Sequence, residues 1–161
     1  MSIVNNVTRL LDQRHISYQA FEVPAEKLGA RETAALLGVE PAVVYKTIVV
    51  TREKPRKPLL VVVPGDSVVD LKLVAAAVGE KKVSLPTERE AEALTGLQAG
   101  GISPLALMNK GFQVLIDETA RTHGMIHVSG GQRGLNIRLS AEDLVKLTSA
   151  RLARVSRPDE S

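Results

Sequence analysis

The apolar positions of this chain repeat with two periods, one near 3.6 residues and one near 2. Val4, Val7, Leu10 and Leu11 recur at three- and four-residue spacing, which predicts an amphipathic helix over residues 1–14 capped by Ser2 or Asn5. Residues 17–23 alternate about Tyr18 and Phe21 and predict a short strand. The Ala- and Leu-rich run 31–37 reads as a helix stopped by Gly38, and Pro41 opens a helical turn ahead of Tyr45. Two β-rich runs follow, 45–51 and 59–63, separated by a basic stretch containing Pro55 and Pro58, so they predict a hairpin with a solvated tip. Their nearly unbroken apolar character predicts a sheet covered on both faces.

The second half opens with a helix over 70–78, whose Leu71, Val74, Ala75 and Val78 form one stripe and which Gly79 ends. A short strand at 82–85 precedes a helix at 87–94, with Thr87 as cap and Glu90 completing a capping box. Beyond Gly96 come a glycine–proline loop at 99–104, strands at 113–117 and 125–128, and a second glycine loop at 129–134. A strand at 135–139, a helix at 140–147 capped by Ser140 with Asp143 closing the turn, and a short strand at 151–155 complete the chain. Strands and helices interleave irregularly and no linker divides them. The expected fold is a mixed α/β single domain over 1–161, with a barrel-like sheet flanked by helices rather than a doubly wound parallel sheet.

At 161 residues, 44% hydrophobic and 24% charged, the chain has the composition of one ordinary globular domain, and 2% aromatics make its core aliphatic. The absence of cysteine excludes a disulfide scaffold, a thiol nucleophile, an iron–sulfur cluster and cysteine-ligated zinc. The apolar run 59–63 is far short of the roughly 20 residues that span a bilayer, and the early Asn5-Asn6 pair interrupts any signal sequence, so a cytoplasmic protein without a membrane segment is expected. The net charge of +3 is unevenly placed. Arg52, Lys54, Arg56 and Lys57 cluster in the hairpin tip, and Lys146, Arg151, Arg154 and Arg157 in the C-terminal region. The two segments suit a polyanion held at one side, or are a solvated tip and a solvated tail.

Glycines let backbone N–H groups approach a ligand, so the two glycine loops are candidate oxyanion or phosphate cradles, with Arg133 placed to grip a phosphate; two tight turns are the alternative. Neither loop carries a P-loop or dinucleotide fingerprint, and Ser129 does not sit in a G-x-S-x-G elbow. His123 and His127 are four apart, but Gly124 and a β-rich run break the helix a zinc pair would need; with His15 they read as structural, and no metal or cofactor is expected. Lys46 stands at the head of an apolar strand, so it snorkels to an edge, pairs with an acid, or lines a polar pocket for an anion.

Three runs in order, Val44-Tyr45-Lys46-Thr47-Ile48-Val49-Val50, Gly100-Gly101-Ile102-Ser103-Pro104-Leu105 and Val128-Ser129-Gly130-Gly131-Gln132-Arg133-Gly134-Leu135, resemble the YbaK/EbsC family of aminoacyl-tRNA deacylases, relatives of the editing domain in bacterial prolyl-tRNA synthetase. The resemblance implies hydrolysis of the ester joining a wrong amino acid to the 3′-terminal ribose, with cysteinyl-tRNA(Pro) first and alanyl-tRNA(Pro) next. It implies catalytic roles for Lys46, Gly101 and Ser129, the lysine holding the terminal phosphate or orienting the substrate and the backbone at Gly101 approaching the ester. Phe21, Leu28, Tyr45, Thr47, Gly100, Ile102, Ser103, Gly130, Gly131 and Arg133 would line the substrate pocket, and Arg52, Lys54 and Arg56 would touch tRNA. In cysteine-specific members the substrate's own thiol attacks the ester, so the protein supplies no nucleophile. Departures fall at Phe21-Glu22-Val23-Pro24, which lacks a His-Asp pair, at Leu28 in place of an aromatic, and at Ala106 in place of a glycine. A non-catalytic module binding an amino acid, nucleotide or tRNA end, and an accessory subunit of prolyl-tRNA synthetase, are the alternative readings.

Overall fold

Every residue from Leu59 to Pro64 is buried, and the alternation along this strand organises the molecule. Leu59, Val61 and Val63 enter one core with Val74, Ala75, Val83 and Val155, while Leu60 and Val62 enter a larger one with Leu11, Ile126, Ile137, Leu139 and Leu144. A strand with a core on each face has no polar side to show, which is why its sequence is continuously apolar.

The computed structural model describes residues 3–53 and 56–160. Ser2, an expected cap, and Lys54, an expected tRNA contact, lie outside the described residues. In chain order the elements are α1 (Asn6–Gln13), β1 (Tyr18–Glu22), α2 (Ala30–Leu37), a 3₁₀ turn (Pro41–Val43), β2 (Tyr45–Arg52), β3 (Leu59–Pro64), β4 (Ser67–Val69), α3 (Leu71–Val78), β5 (Val83–Ser84), α4 (Glu88–Thr95), β6 (Gln113–Asp117), α5 (Thr119–His123), β7 (Met125–Ser129), β8 (Leu135–Ser140), α6 (Ala141–Thr148), β9 (Arg151–Ala153) and β10 (Ser156–Pro158). The larger sheet has the order β5-β2-β3-β6-β9, antiparallel in the β2–β3 hairpin and parallel from β3 through β6 to β9. An antiparallel sheet β1-β8-β7 supplies Ile126, Ile137 and Leu139 to the larger core, and an isolated parallel bridge, Val44 to His127, joins the two sheets. This is the mixed α/β architecture expected of the sequence. The sheets do not close into a barrel.

Local chemistry sets the helix ends as expected. Asn5 caps α1 by accepting from the Thr8 N–H at 3.0 Å, and Thr87 and Glu90 form a reciprocal box on α4 at 3.1 and 2.9 Å. Ser140 caps α6, and Gly38 and Gly79 end α2 and α3 in the left-handed conformation. Three elements, β4, α5 and β10, have no counterpart in the sequence reading. The strand expected over 151–155 stops at Ala153, because the Val155 N–H donates to Asp117 Oδ1 at 3.0 Å instead of to a neighbouring strand.

Candidate active site

A cleft of about 230 Å³ opens at the seam between the two sheets, beside the Val44–His127 bridge. The head of β2, residues 44–47, forms one wall, and Ser129 of β7 with Leu135 and Asn136 of β8 face it. Val23, Glu26, Leu28 and Gly29 close one side, and Ala99, Gly100 and Ile102 the other. Of the residues expected at a substrate site, Leu28, Tyr45, Lys46, Thr47, Gly100, Ile102 and Ser129 line this cleft.

The alternation of β2 splits its head between two faces. Tyr45 and Thr47 pair with Pro64 and Val62, on the side of the larger core, whereas Lys46 pairs with Val63 on the other. Lys46 is half-buried; burial lowers its proton affinity, Asp159 and Asp66 raise it, and Arg31 lowers it. Lys46 is among the residues lining the cleft and also stands in the field of two acids, Asp159 and Asp66. The Thr47 hydroxyl is buried without a partner among the described residues, a donor that a bound ligand would satisfy. Thr119 Oγ1 gives its proton to Asp117 Oδ2 at 2.7 Å and therefore accepts from the Tyr45 hydroxyl at 2.8 Å. Burial, reinforced by Asp117 and Asp66, pushes the Tyr45 hydroxyl up to about 12, so Tyr45 offers a ring to the cleft and not a base.

Two cleft groups carried no signal in the sequence reading. Asn136 Oδ1 lies 2.8 Å from His127 Nδ1, and with Nδ1 protonated the ring donates to that oxygen, leaving the Asn136 amide N–H groups for the cleft. His127 is thus structural, as its spacing predicted, but what it positions is a cleft donor. Glu26 is the one carboxylate among the lining residues; it falls between the departures at 21–24 and at Leu28.

Other expected site residues serve the frame. The Phe21 ring stands 5.6 Å from the His127 ring, and fully buried Ser103 accepts from the Leu105 N–H at 3.2 Å. Gly101 is buried behind the cleft: its N–H donates to the Gln98 carbonyl at 2.8 Å, and a Cβ there would stand 2.9 Å from Gln132 Cα. Its missing side chain lets the two glycine loops pack backbone to backbone, and its N–H is committed to Gln98. The Gly130 N–H donates to the Leu135 carbonyl at 2.9 Å and the Gly131 N–H to Ser129 Oγ at 3.3 Å, so the second loop is not an open cradle. Ala106 packs where a Cβ on Gly131 would reach it, away from the cleft lining. Arg133 Nε donates to the Ala99 carbonyl at 2.7 Å.

Arg52 is corrected as well. Its side chain is only 9% exposed, donates to the Lys57 carbonyl at 2.8 Å and to Gln113 Oε1 at 3.1 Å, and pairs with Glu80 at 3.5 Å. It fastens the far end of β2, roughly 20 Å along the strand from Lys46. Arg56 reaches Glu80 at 3.8 Å but is 62% exposed, so most of its side chain stays available to a polyanion. Among the described residues no helix is long and apolar enough to cross a membrane, and no group of three His, Cys, Asp or Glu could hold a metal.

The sequence profile of the aminoacyl-tRNA editing domain matches residues 25–147, a span that contains most of the cleft lining. The chain belongs to this family. The editing domain is 35% identical over 153 residues, covering 94% of this chain and 92% of the relative, to an Enterococcus faecalis protein named as a Cys-tRNA(Pro)/Cys-tRNA(Cys) deacylase. It is 26% identical over 144 residues, 87% of each chain, to the prolyl-tRNA editing protein of Acetoanaerobium sticklandii. Among solved structures, a hypothetical protein superposes at a TM-score of 0.86 with 26% identity, covering 95% of the editing domain and all of that chain. A trans-editing enzyme for prolyl-tRNA synthetase superposes at 0.78 with 26% identity, covering 97% and 99%.

Proposed function

We propose that this editing domain acts in trans, in the cytoplasm, on tRNA(Pro) carrying the wrong amino acid, cysteine first and alanine next, and cleaves the ester at the 3′-terminal ribose. The observation that carries the proposal is the convergence of Lys46, the unpartnered Thr47 hydroxyl and Ser129 on one small cleft. At about 230 Å³ the cleft admits a short acyl group and rejects longer ones by size, which is how a second sieve discriminates. The 35% identical relative named for Cys-tRNA(Pro) supports the order of substrates.

The chemistry needs donors more than a protein nucleophile. Attack by the cysteinyl thiol, or by water on an alanyl ester, places negative charge on the carbonyl oxygen; the bond from the carbonyl carbon to the ribose oxygen then breaks and that oxygen takes a proton. Each preorganised donor at the carbonyl oxygen contributes about 3–4 kcal/mol. Ser129 accepts from the Gly131 N–H and so keeps its own proton for such a donation. Lys46, poorly solvated at the cleft edge, meets the terminal phosphate, and Glu26 meets the substrate ammonium.

The test is deacylation of tRNA(Pro) charged separately with Cys, Ala, Ser and Pro, by wild type and Lys46→Ala, with and without the synthetase. Selective loss of the cysteinyl or alanyl ester, reduced on the order of a hundredfold by the substitution, is expected. Survival of every ester despite measurable tRNA binding would leave a binding module. A fully active Lys46→Ala would remove the lysine from the site.

A further inference from the structure

The loop that carries the first glycine pair is held by two charged groups from different elements. Glu92 of α4 accepts from the Ala99 N–H at 2.7 Å, and Arg133 of the second loop donates to the Ala99 carbonyl, also at 2.7 Å. Both are short charge-assisted bonds, and together they fix the two peptide units flanking Ala99. The next N–H along, that of Gly101, is spent on the Gln98 carbonyl at 2.8 Å. Among the described residues nothing accepts from the Gly100 N–H, and both Ala99 and Gly100 line the cleft. Gly100 has φ +90°, a conformation that other residues rarely hold.

We infer that the Gly100 N–H is the backbone donor to the scissile carbonyl oxygen, and that Arg133 and Glu92 are the positioning residues that aim and strengthen it. The Ala99 carbonyl and the Gly100 N–H belong to one peptide group. A guanidinium on that carbonyl withdraws electron density through the amide and makes its N–H a stronger donor. Glu92 anchors the preceding peptide, so the loop cannot swing the donor away when charge develops. Helix α4 buries none of its own residues, and Glu92 makes its direct hydrogen bond to the cleft loop, beside the exposed Glu88–Lys27 pair at the cleft's other side. The inference rests on the deacylase reading, and it gives Arg133 a different task from the phosphate grip that its sequence context suggests.

Arg133→Met, Glu92→Ala and Glu92→Gln separate the two tasks in steady-state hydrolysis of cysteinyl-tRNA(Pro), with folding checked by thermal unfolding. Arg133→Met and Glu92→Ala should each lower kcat on the order of tenfold or more while KM stays within about twofold, and Glu92→Gln, which keeps an acceptor, should recover most of the loss. The salt dependence of tRNA binding should not change in Arg133→Met. A raised KM together with a salt slope smaller by about 0.7–0.9 would make Arg133 a phosphate contact, and an unchanged kcat would overturn its part outright. An arm independent of turnover titrates 3′-(alanylamino)-3′-deoxyadenosine, whose amide replaces the ester, into the wild-type protein and follows backbone amide shifts. The Gly100 proton should move downfield; if it stays fixed while Ser129 and Thr47 respond, the donor assignment fails. If wild type hydrolyses no ester at all, the deacylase reading falls, whereas the amide titration still decides the Gly100 donor.

Discussion

His127 shows how one residue becomes functional through a partner the chain places nine positions away. Its ring is buried and bonded to Asn136, and burial lowers its proton affinity, with the Asn136 bond opposing and Arg138 reinforcing. A histidine whose folded-state pKa is depressed stabilises the fold most above its unfolded value, near 6.5, and loses that contribution as pH falls through it. The unfolding midpoint of wild type should therefore fall more steeply between about pH 7 and pH 5 than that of His127→Gln; parallel curves would contradict the assignment. Gly101 makes the complementary point about space. Its φ is not in the left-handed region, so Gly101→Ala meets only the steric obstacle of Gln132 Cα at 2.9 Å. The substitution should cost about 1–3 kcal/mol in denaturant unfolding, and by separating the glycine loops it should lower kcat too. Nothing in a single sequence distinguishes a glycine that admits a ligand from one that admits another backbone.

At the scale of elements, β2 carries the cleft at one end and a locked arginine at the other. Arg52→Ala leaves Gln113 and Glu80 without their buried partner and should cost about 1–3 kcal/mol of stability while tRNA affinity holds. Arg56→Ala should do the reverse: unchanged unfolding, and a slope of log affinity against log salt smaller by about 0.7–0.9 if the hairpin tip meets a phosphate. Filter binding across a salt series with calorimetry on the same samples reads both. The β2–β3 hairpin, the caps of α1, α4 and α6, and the ends of α2 and α3 were legible because each depends on residues within a few positions of one another. β4 and β10 were not, since each is three residues long and exists only as the other's partner, about 90 positions away. α5 is a single turn ending at Gly124.

At the scale of the whole molecule, Asp117 ties distant segments together. Its two oxygens accept from the Val155 N–H, the Ser156 hydroxyl and both the N–H and hydroxyl of Thr119, and through Thr119 they reach Tyr45 at the cleft. Asp117→Ala removes the acceptors for the C-terminal segment and for Thr119 of α5, and with Thr119 the support of Tyr45 in the cleft wall. It should destabilise by on the order of 3 kcal/mol in chemical denaturation and release Tyr45, visible as a changed tyrosine environment in near-UV circular dichroism. By itself the sequence determined most of the elements, an aliphatic two-faced sheet, a chemistry without cysteine, and the three motifs that carry the family likeness. It brought Lys46, Thr47, Ser129 and Gly100 into consideration without telling which groups face the substrate. Tertiary structure decided which groups line the cleft: it sent the Gly101 N–H inward and left the Gly100 N–H unclaimed, tied Arg133 to a peptide and Arg52 to Gln113, and brought Asn136 and Glu26 into the cleft. Propensity and capping act over a few residues of chain, whereas exposure and the direction of a hydrogen bond depend on groups that only folding brings together.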